Sequence, residues 1–115
     1  MSQIKLNLAQ GSVSFAFSPE SARDLKEALS TLMQSLKTIA AKTAAGRSRP
    51  KPKPSMEYRH TGDVFLEIFC NPNIYPSPFS AKVLVTLRDE RIRLSTEAEL
   101  TRVIEDVNHY IEQAE

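Results

Sequence analysis

Apolar residues occupy alternate positions on both sides of Gly11, near the start of the chain. Successive side chains of a strand point to opposite faces, so a period of two predicts two strands that each have one apolar face. A two-residue loop at Gln10 and Gly11 joins them into a β-hairpin in which Leu8 pairs with Val13. Six apolar residues then share one face of the hairpin: Ile4, Leu6, Leu8, Val13, Phe15 and Phe17.

After Phe17 the apolar residues recur every three or four positions, which is the period of a helix. Ser18 is a favourable N-cap, Pro19 suits the first helical position and Gly46 suits the end. We therefore expect a long helix that packs across a sheet. The same spacing fits the a and d positions of a coiled coil, so pairing with the helix of a second copy stays open. The apolar stripe comprises Leu25, Leu29, Leu32, Leu36 and Ile39.

A basic, proline-rich stretch, GRSRPKPKPS, follows the helix. Residues 37–60 contain seven cations and one anion, whereas residues 61–115 contain five cations and ten anions. Alternating proline and lysine favours an extended polyproline II backbone. We interpret residues 45–61 as a flexible linker loop inside the domain, and a site for nucleic acid or another anionic partner is the alternative. The cations of that alternative site are Arg47, Arg49, Lys51, Lys53 and Arg59.

Beyond the linker, residues 64–70 alternate again and predict a strand with Cys70 on its core side. The connection that follows contains three prolines, which exclude regular structure there. Its large apolar side chains are Ile74, Tyr75 and Phe79, and we expect them to be partly sheltered from solvent.

The segment KVLVTLRDERIRLS predicts a second hairpin, in which Leu87 pairs with Ile92. Because the loop lacks glycine, we expect it to be longer than two residues. Thr96 and Glu99 fit a capping box at the start of a final amphipathic helix.

Together these elements predict a single domain over residues 1–115 with an α+β fold. The order is β-β-α, the basic proline-rich linker, and then β-β-β-α. We expect a largely antiparallel sheet with the helices packed on one face, since each strand has one core face and one mainly polar face. A chain of 115 residues can bury a working core without disulfides or a metal.

Residues that catalysis or metal binding requires are sparse. Cys70 is the single cysteine, and the two histidines, His60 and His109, are far apart and form no zinc-binding pattern. The three glycines form no phosphate-binding loop or nucleophile elbow. We therefore predict a protein that is not an enzyme and that has no cofactor and no metal site.

The sheet face opposite the core is a further candidate surface. Alternation places Phe65, Phe69 and Leu84 on this face, with Arg93 and other cations around them. Such a face suits a protein interface, above all with a second copy, in which arginines pair at the rim. The chain's own loop could also cover it, or single-stranded nucleic acid could stack on its aromatic rings. We expect a small protein-binding domain that forms a homodimer, with nucleic-acid binding as the alternative function.

No stretch approaches the roughly 18 apolar residues that a membrane span needs. The N-terminus, MSQIKLNLAQ, also lacks a basic segment followed by an apolar run. We therefore expect a cytoplasmic protein without a membrane partner.

Overall fold

The computed structural model describes residues 3–44, 46 and 52–114. Its fold is α+β, as predicted, and it contains one strand more than the sequence pattern predicts. Two short 3-10 turns, Pro72–Ile74 and Pro78–Ser80, lie in the connection between β4 and β5. The elements are β1 (Gln3–Leu8), β2 (Gly11–Ala16), α1 (Pro19–Ala44), β3 (Met56–Thr61), β4 (Phe65–Cys70), β5 (Lys82–Arg88), β6 (Arg93–Glu99) and α2 (Leu100–Ala114).

The strands form two antiparallel sheets, a two-stranded sheet β1-β2 and a four-stranded sheet in the order β3-β4-β5-β6. The additional strand β3 lies within the stretch 45–61 that the sequence pattern assigns to the linker, so the structure differs from that prediction at residues 56–61. Met56, Tyr58 and His60 on its core side are only half-buried. None of them is an aliphatic residue, and for this reason the alternation of β3 is weak in the sequence.

One hydrophobic cluster joins the two sheets and both helices. Alternate residues of β4 and β5 enter this cluster, including Cys70, which lies on the core side as predicted. The inner face of the four-stranded sheet is therefore covered. From these two strands the cluster takes Leu66, Ile68, Cys70, Val83, Val85 and Leu87.

The first hairpin keeps the predicted apolar face, but its register differs. Leu8 pairs with Gly11 and Leu6 with Val13, so the two-residue loop is Ala9 and Gln10. Gly11 has a φ of +121°, a conformation that side chains with a Cβ rarely adopt. The glycine is thus needed directly after the loop and not within it. A shift of two residues leaves every side chain on its predicted face.

The second hairpin also has a register two residues away from the prediction. Leu87 pairs with Leu94, and the loop runs from Asp89 to Ile92, which makes it longer than two residues as expected. The Asp89 carboxylate accepts hydrogen bonds from the backbone N–H groups of Arg91 (2.7 Å) and Ile92 (2.8 Å). These bonds hold the pKa of Asp89 below its usual value. Ile92 is consequently a loop residue and not a core residue, with 68% of its surface exposed.

The helices begin at different kinds of boundary. The Ser18 hydroxyl accepts the backbone N–H of Ser21 at 3.1 Å, which is the predicted N-cap of α1. The predicted capping box of α2 is wrong, because Thr96 and Glu99 lie in β6 and pair with β5. The alternation of β6 continues to a buried Ala98, and sheet pairing therefore takes precedence over the capping signal. No helix within residues 3–44 or 52–114 is long and apolar enough to cross a membrane.

Candidate protein interface on the outer face of the sheet

The outer face of the four-stranded sheet is the face turned away from the core cluster. Strand pairing arranges its side chains in three rows that cross all four strands. The basic row comprises Thr61, Phe65, Arg88 and Arg93. The middle row comprises Arg59, Glu67, Thr86 and Ser95. The acidic row comprises Glu57, Phe69, Leu84 and Glu97.

Three large apolar side chains on this face lie outside the core. Phe65 and Phe69 are half-buried, and Leu84 is 42% exposed. Phe69 and Leu84 pair across β4 and β5, so they form one apolar patch in the acidic row. None of the three packs against the core cluster. They lie on the outer face, as the alternation in the sequence predicts.

The basic row carries two arginines in an unfavourable position. Arg88 and Arg93 lie directly opposite each other on β5 and β6, and like charges in that arrangement destabilise a sheet. The Arg88 guanidinium lies 4.4 Å from the centre of the Phe65 ring, a cation–π contact. Neither arginine forms an ion pair with a residue in the described part of the chain. The row therefore presents two positive charges that an anionic group would stabilise.

The polar side chains of the middle row pair with one another. Arg59 Nε and Glu67 Oε2 form an ion pair at 2.7 Å. The hydroxyl groups of Thr86 and Ser95 lie within hydrogen-bond distance, at 3.2 Å. The middle row therefore has no net charge and separates the basic row from the acidic row.

The acidic row places Glu57 and Glu97 at the two ends of the apolar patch. Both glutamates are exposed. Opposite charges therefore lie at the two ends of the outer face along the strand direction, with two cations in one outer row and two anions in the other. The sequence alone does not reveal this arrangement, because it depends on the strand registers.

The structure describes two of the five cations of the predicted basic segment, Lys53 and Arg59. Arg47, Arg49 and Lys51 lie outside the described residues. The Lys53 backbone is bound to the Asn73 side chain, which accepts its N–H and donates to its carbonyl, both at 2.8 Å. Arg59 belongs to the middle row, on another part of the sheet.

The connection between β4 and β5 exposes more apolar surface than expected. Phe79 is 84% exposed and Ile74 is 64% exposed, whereas the prediction places both partly under cover. Both lie in 3-10 turns that contact α1. Proline breaks the alternation here, so no periodic signal assigns these side chains to a face.

A groove of about 260 Å³ lies between α1 and α2, and the sequence gives no direct signal for it. Lys26 and Lys37 line it from α1, and Asn108 lines it from α2. The Asn108 Oδ1 atom is buried and has no hydrogen-bond partner in the part of the chain that is described. A polar group at a helix–helix contact is not distinguishable from a surface residue by periodicity alone.

The residues considered for catalysis are held in structural contacts. His60 Nδ1 lies 3.3 Å from the Ser21 hydroxyl, and the His60 ring packs edge-on against Phe17 with 5.1 Å between the ring centres. A Cβ added at Gly62 would lie 2.9 Å from His60 Nε2, so this backbone closes the other side of the ring. Burial raises the pKa of the Cys70 thiol to about 11, which keeps it protonated at neutral pH.

Within residues 3–44 and 52–114, no three His, Cys, Asp or Glu side chains form a group that could hold a metal ion. No family model, curated protein or solved structure matches this chain. The outer face is therefore interpreted from its own residues and their chemistry.

Proposed function

We propose that this protein is a small, non-enzymatic protein-binding domain that forms a homodimer through the outer face. The observation that supports the proposal is the apolar patch of Phe69 and Leu84, which lies on a broad sheet face outside the core. Exposed apolar residues surrounded by charged ones are the usual composition of a protein interface, because the centre loses water and the rim pairs.

The described parts of the chain leave the patch open. The connection between β4 and β5 packs against α1, on the other side of the sheet, and does not lie over Leu84. This connection therefore does not provide the cover by the chain's own loop that the sequence leaves open as an alternative. A separate protein surface would remove this apolar area from water.

The size of the face sets the expected strength of the dimer. Four strands about 4.8 Å apart and about 20 Å long present a face of roughly 20 by 20 Å. This lies below the roughly 800 Å² per partner of a standard stable interface. We therefore expect a reversible dimer with a dissociation constant of about micromolar order.

The first test is the mass in solution by sedimentation velocity, over concentrations from about 0.1 to about 100 micromolar, a range that brackets the expected dissociation constant. We expect the wild type to change from monomer to dimer, and Leu84→Asp to remain monomeric throughout. The matched control is Ile74→Asp, which introduces the same charge at another exposed aliphatic residue, in the turn against α1. It should dimerise like the wild type.

A wild type that stays monomeric at the highest concentration contradicts the proposal. A dimer that Leu84→Asp leaves intact also contradicts it, because the outer face is then not the interface.

Nucleic-acid binding is the second candidate, and the contact between Arg88 and Phe65 favours it. An aromatic ring beside unpaired cations can stack on a base and neutralise a phosphate. The acidic row opposes it, because Glu57 and Glu97 would repel a phosphate chain that crosses the strands.

The test of this candidate is fluorescence anisotropy with single-stranded RNA and DNA at about 50 and 200 mM salt. Binding that weakens steeply with salt and is lost in an Arg88→Ala, Arg93→Ala variant would support it. The absence of binding at the lower salt concentration would exclude it.

A further inference from the structure

We infer that the two copies meet with their strands antiparallel across the interface, so that the basic row of each lies over the acidic row of the other. This inference rests on the proposed function, since it specifies how the outer face binds a second copy. It follows from the order of the three rows along the strands.

The rows define a simple symmetry. The basic and acidic rows are four residues apart on each strand, or about 13 Å at 3.3 Å per residue, with the middle row halfway between them. A two-fold axis along the middle row therefore exchanges the two outer rows. It also keeps each strand over its own counterpart, and a self-complementary contact of this kind is what a two-fold dimer requires.

This orientation places an anion of the second copy near both arginines of the basic row, whereas Glu57 lies over the uncharged Thr61 on the facing β3 strands. Arg93 lies over Glu97 of the second copy on the facing β6 strands, and Arg88 lies beside the same glutamate. The unfavourable pair of arginines in each monomer is thus relieved by the contact. The usual angle of about 30° between packed sheets shifts these positions, but long arginine side chains accommodate such a shift.

The shape of the face agrees with the same orientation. A shallow depression of about 480 Å³ lies between the basic and middle rows, with Phe65, Thr86 and Arg88 in its lining. The two-fold axis brings Phe69 and Leu84 of the second copy over this depression. The protruding apolar patch of one copy then fills the depression of the other, and aromatic rings from both copies come into contact.

The other face-to-face orientation is disfavoured. A two-fold axis parallel to the strands superposes like rows but places β6 of one copy over β3 of the other. Glu97 then meets Glu57, whereas Arg93 and Arg88 lie over the uncharged residues Thr61 and Phe65. Like charges would then meet in the acidic rows, and the arginines would gain no opposite charge from the other copy. Juxtaposed like charges cost several kcal/mol at an interface, which is comparable with the whole free energy of a weak dimer.

The neutral middle row fits an axis at this position. Residues on a two-fold axis meet their own copies, so an unpaired charge there would face itself. Arg59 and Glu67 are already paired within each monomer. The axis therefore runs along the one row of the outer face where self-contact brings no net repulsion.

The test uses a double variant, Arg93→Glu with Glu97→Arg, in which the positive and negative charges of β6 exchange places. We call it the reversed variant. Both residues are exposed on β6, and the contact between Arg88 and Phe65 stays intact. The single substitutions Arg93→Glu and Glu97→Arg should each weaken the dimer about tenfold or more, because each places like charges together. The reversed variant should recover a dissociation constant within a few-fold of the wild type.

Mixing distinguishes the two orientations. With antiparallel strands, the reversed variant pairs with itself but not with the wild type, because the carboxylate introduced by Arg93→Glu would face Glu97 of the wild type. With like rows superposed, residue 97 faces Glu57 of the other copy in every pair, so the mixed dimer has the mean energy of the two self-pairs and the two proteins mix freely. Exchange between fluorescently labelled subunits, measured by energy transfer, should therefore show self-sorting of the two proteins.

The outcomes separate this inference from the proposed function. A dimer that Leu84→Asp dissociates, but in which the reversed variant mixes freely with the wild type, overturns the orientation and leaves the interface in place. A dimer that neither Leu84→Asp nor the charge changes affect overturns both. Thermal unfolding of each variant at low concentration identifies any loss of the monomer fold. If the reversed variant unfolds, the two single variants mixed together provide the same test, since each supplies the charge that the other lacks.

Discussion

The inner and outer faces of the four-stranded sheet alternate along the same strands, yet they differ in burial, composition and charge. Ile68 and Phe69 are neighbours on β4, but Ile68 is fully buried in the core and Phe69 lies outside it. On β4 and β5 the inner face is built mainly from aliphatic side chains, which need no particular row order. The outer face is organised in rows, and its charged residues are grouped by sign only when neighbouring strands are considered together. The inner face thus belongs to the core that holds the fold together, whereas the outer face keeps apolar and charged side chains outside that core.

The largest expected effect is the difference in the free energy of unfolding between a substitution on the inner face and one on the outer face. Ile68→Ala should lower the free energy of unfolding by about 2 to 5 kcal/mol, because it leaves a cavity in the core. Phe69→Ala should cost at most about 1.5 kcal/mol, since the ring is only half-buried. Urea denaturation, below the concentration at which the dimer forms, measures both values. Equal losses for the two variants would mean that Phe69 is a core residue and that the outer face is covered.

Much of this comparison is predictable from the sequence because alternation assigns side chains to faces. The pattern places Phe65, Phe69, Leu84 and Arg93 on one face, and the structure places them there too. Both hairpin registers are nevertheless wrong by two residues. A period of two is unchanged by a shift of two, so only the loop geometry fixes the register. For this reason the sequence pattern alone predicts neither the rows nor the separation of opposite charges on the outer face.

Other parts of the fold escape prediction for separate reasons. The strand β3 follows a proline-rich run and has Met56, Tyr58 and His60 on its inner side, which form a weak apolar signal. The end of β6 resembles a helix start, and only its pairing with β5 identifies it as a strand. The groove beside Asn108 depends on how two helices cross, and such a crossing leaves no trace in either helix alone.

The next effect concerns a buried polar contact on the core side. The Tyr110 hydroxyl donates to the backbone carbonyl of Phe17, and this bond is buried. Tyr110→Phe leaves that carbonyl without its partner and should cost about 1 to 3 kcal/mol in urea denaturation. The control is Tyr75→Phe, in the more exposed connection after β4, which should change stability less. A Tyr110→Phe variant as stable as the wild type would show that water replaces the hydroxyl and that the site is not dry.

A third effect uses the titratable groups of the inner face. Burial raises the pKa of Cys70 to about 11, and burial followed by the charge of Asp24 raises the pKa of Tyr58 to about 12. Both groups are neutral when protonated, so the folded state holds these protons more tightly than the unfolded chain, where the values are near 9.0 and 10.0. Their contribution to stability is complete below about pH 9 and is lost as the pH rises towards 12.

The measurement is the urea midpoint between pH 8 and 12 at constant ionic strength. We expect a steady decrease above about pH 9. Tyr58→Phe removes one titrating group, so its decrease between about pH 10 and 12 should be shallower than that of the wild type. Parallel curves for the two proteins would show that Tyr58 ionises equally easily in the folded and unfolded states.

The smallest effect concerns Thr86, the one residue of the middle row that is buried. It is only 7% exposed although it lies on the outer face, because longer side chains of the same and the adjacent row surround it. Thr86→Val keeps the shape and removes a hydroxyl whose partner, Ser95, is exposed and can bond to water instead. The free energy of unfolding should therefore change by less than about 1 kcal/mol. Thr86 lies next to the inferred two-fold axis, where it meets its own copy, so the added methyl group should leave the dimer intact or tighten it. Sedimentation velocity compares the dissociation constants, and a clearly weaker Thr86→Val dimer would place the axis away from the middle row.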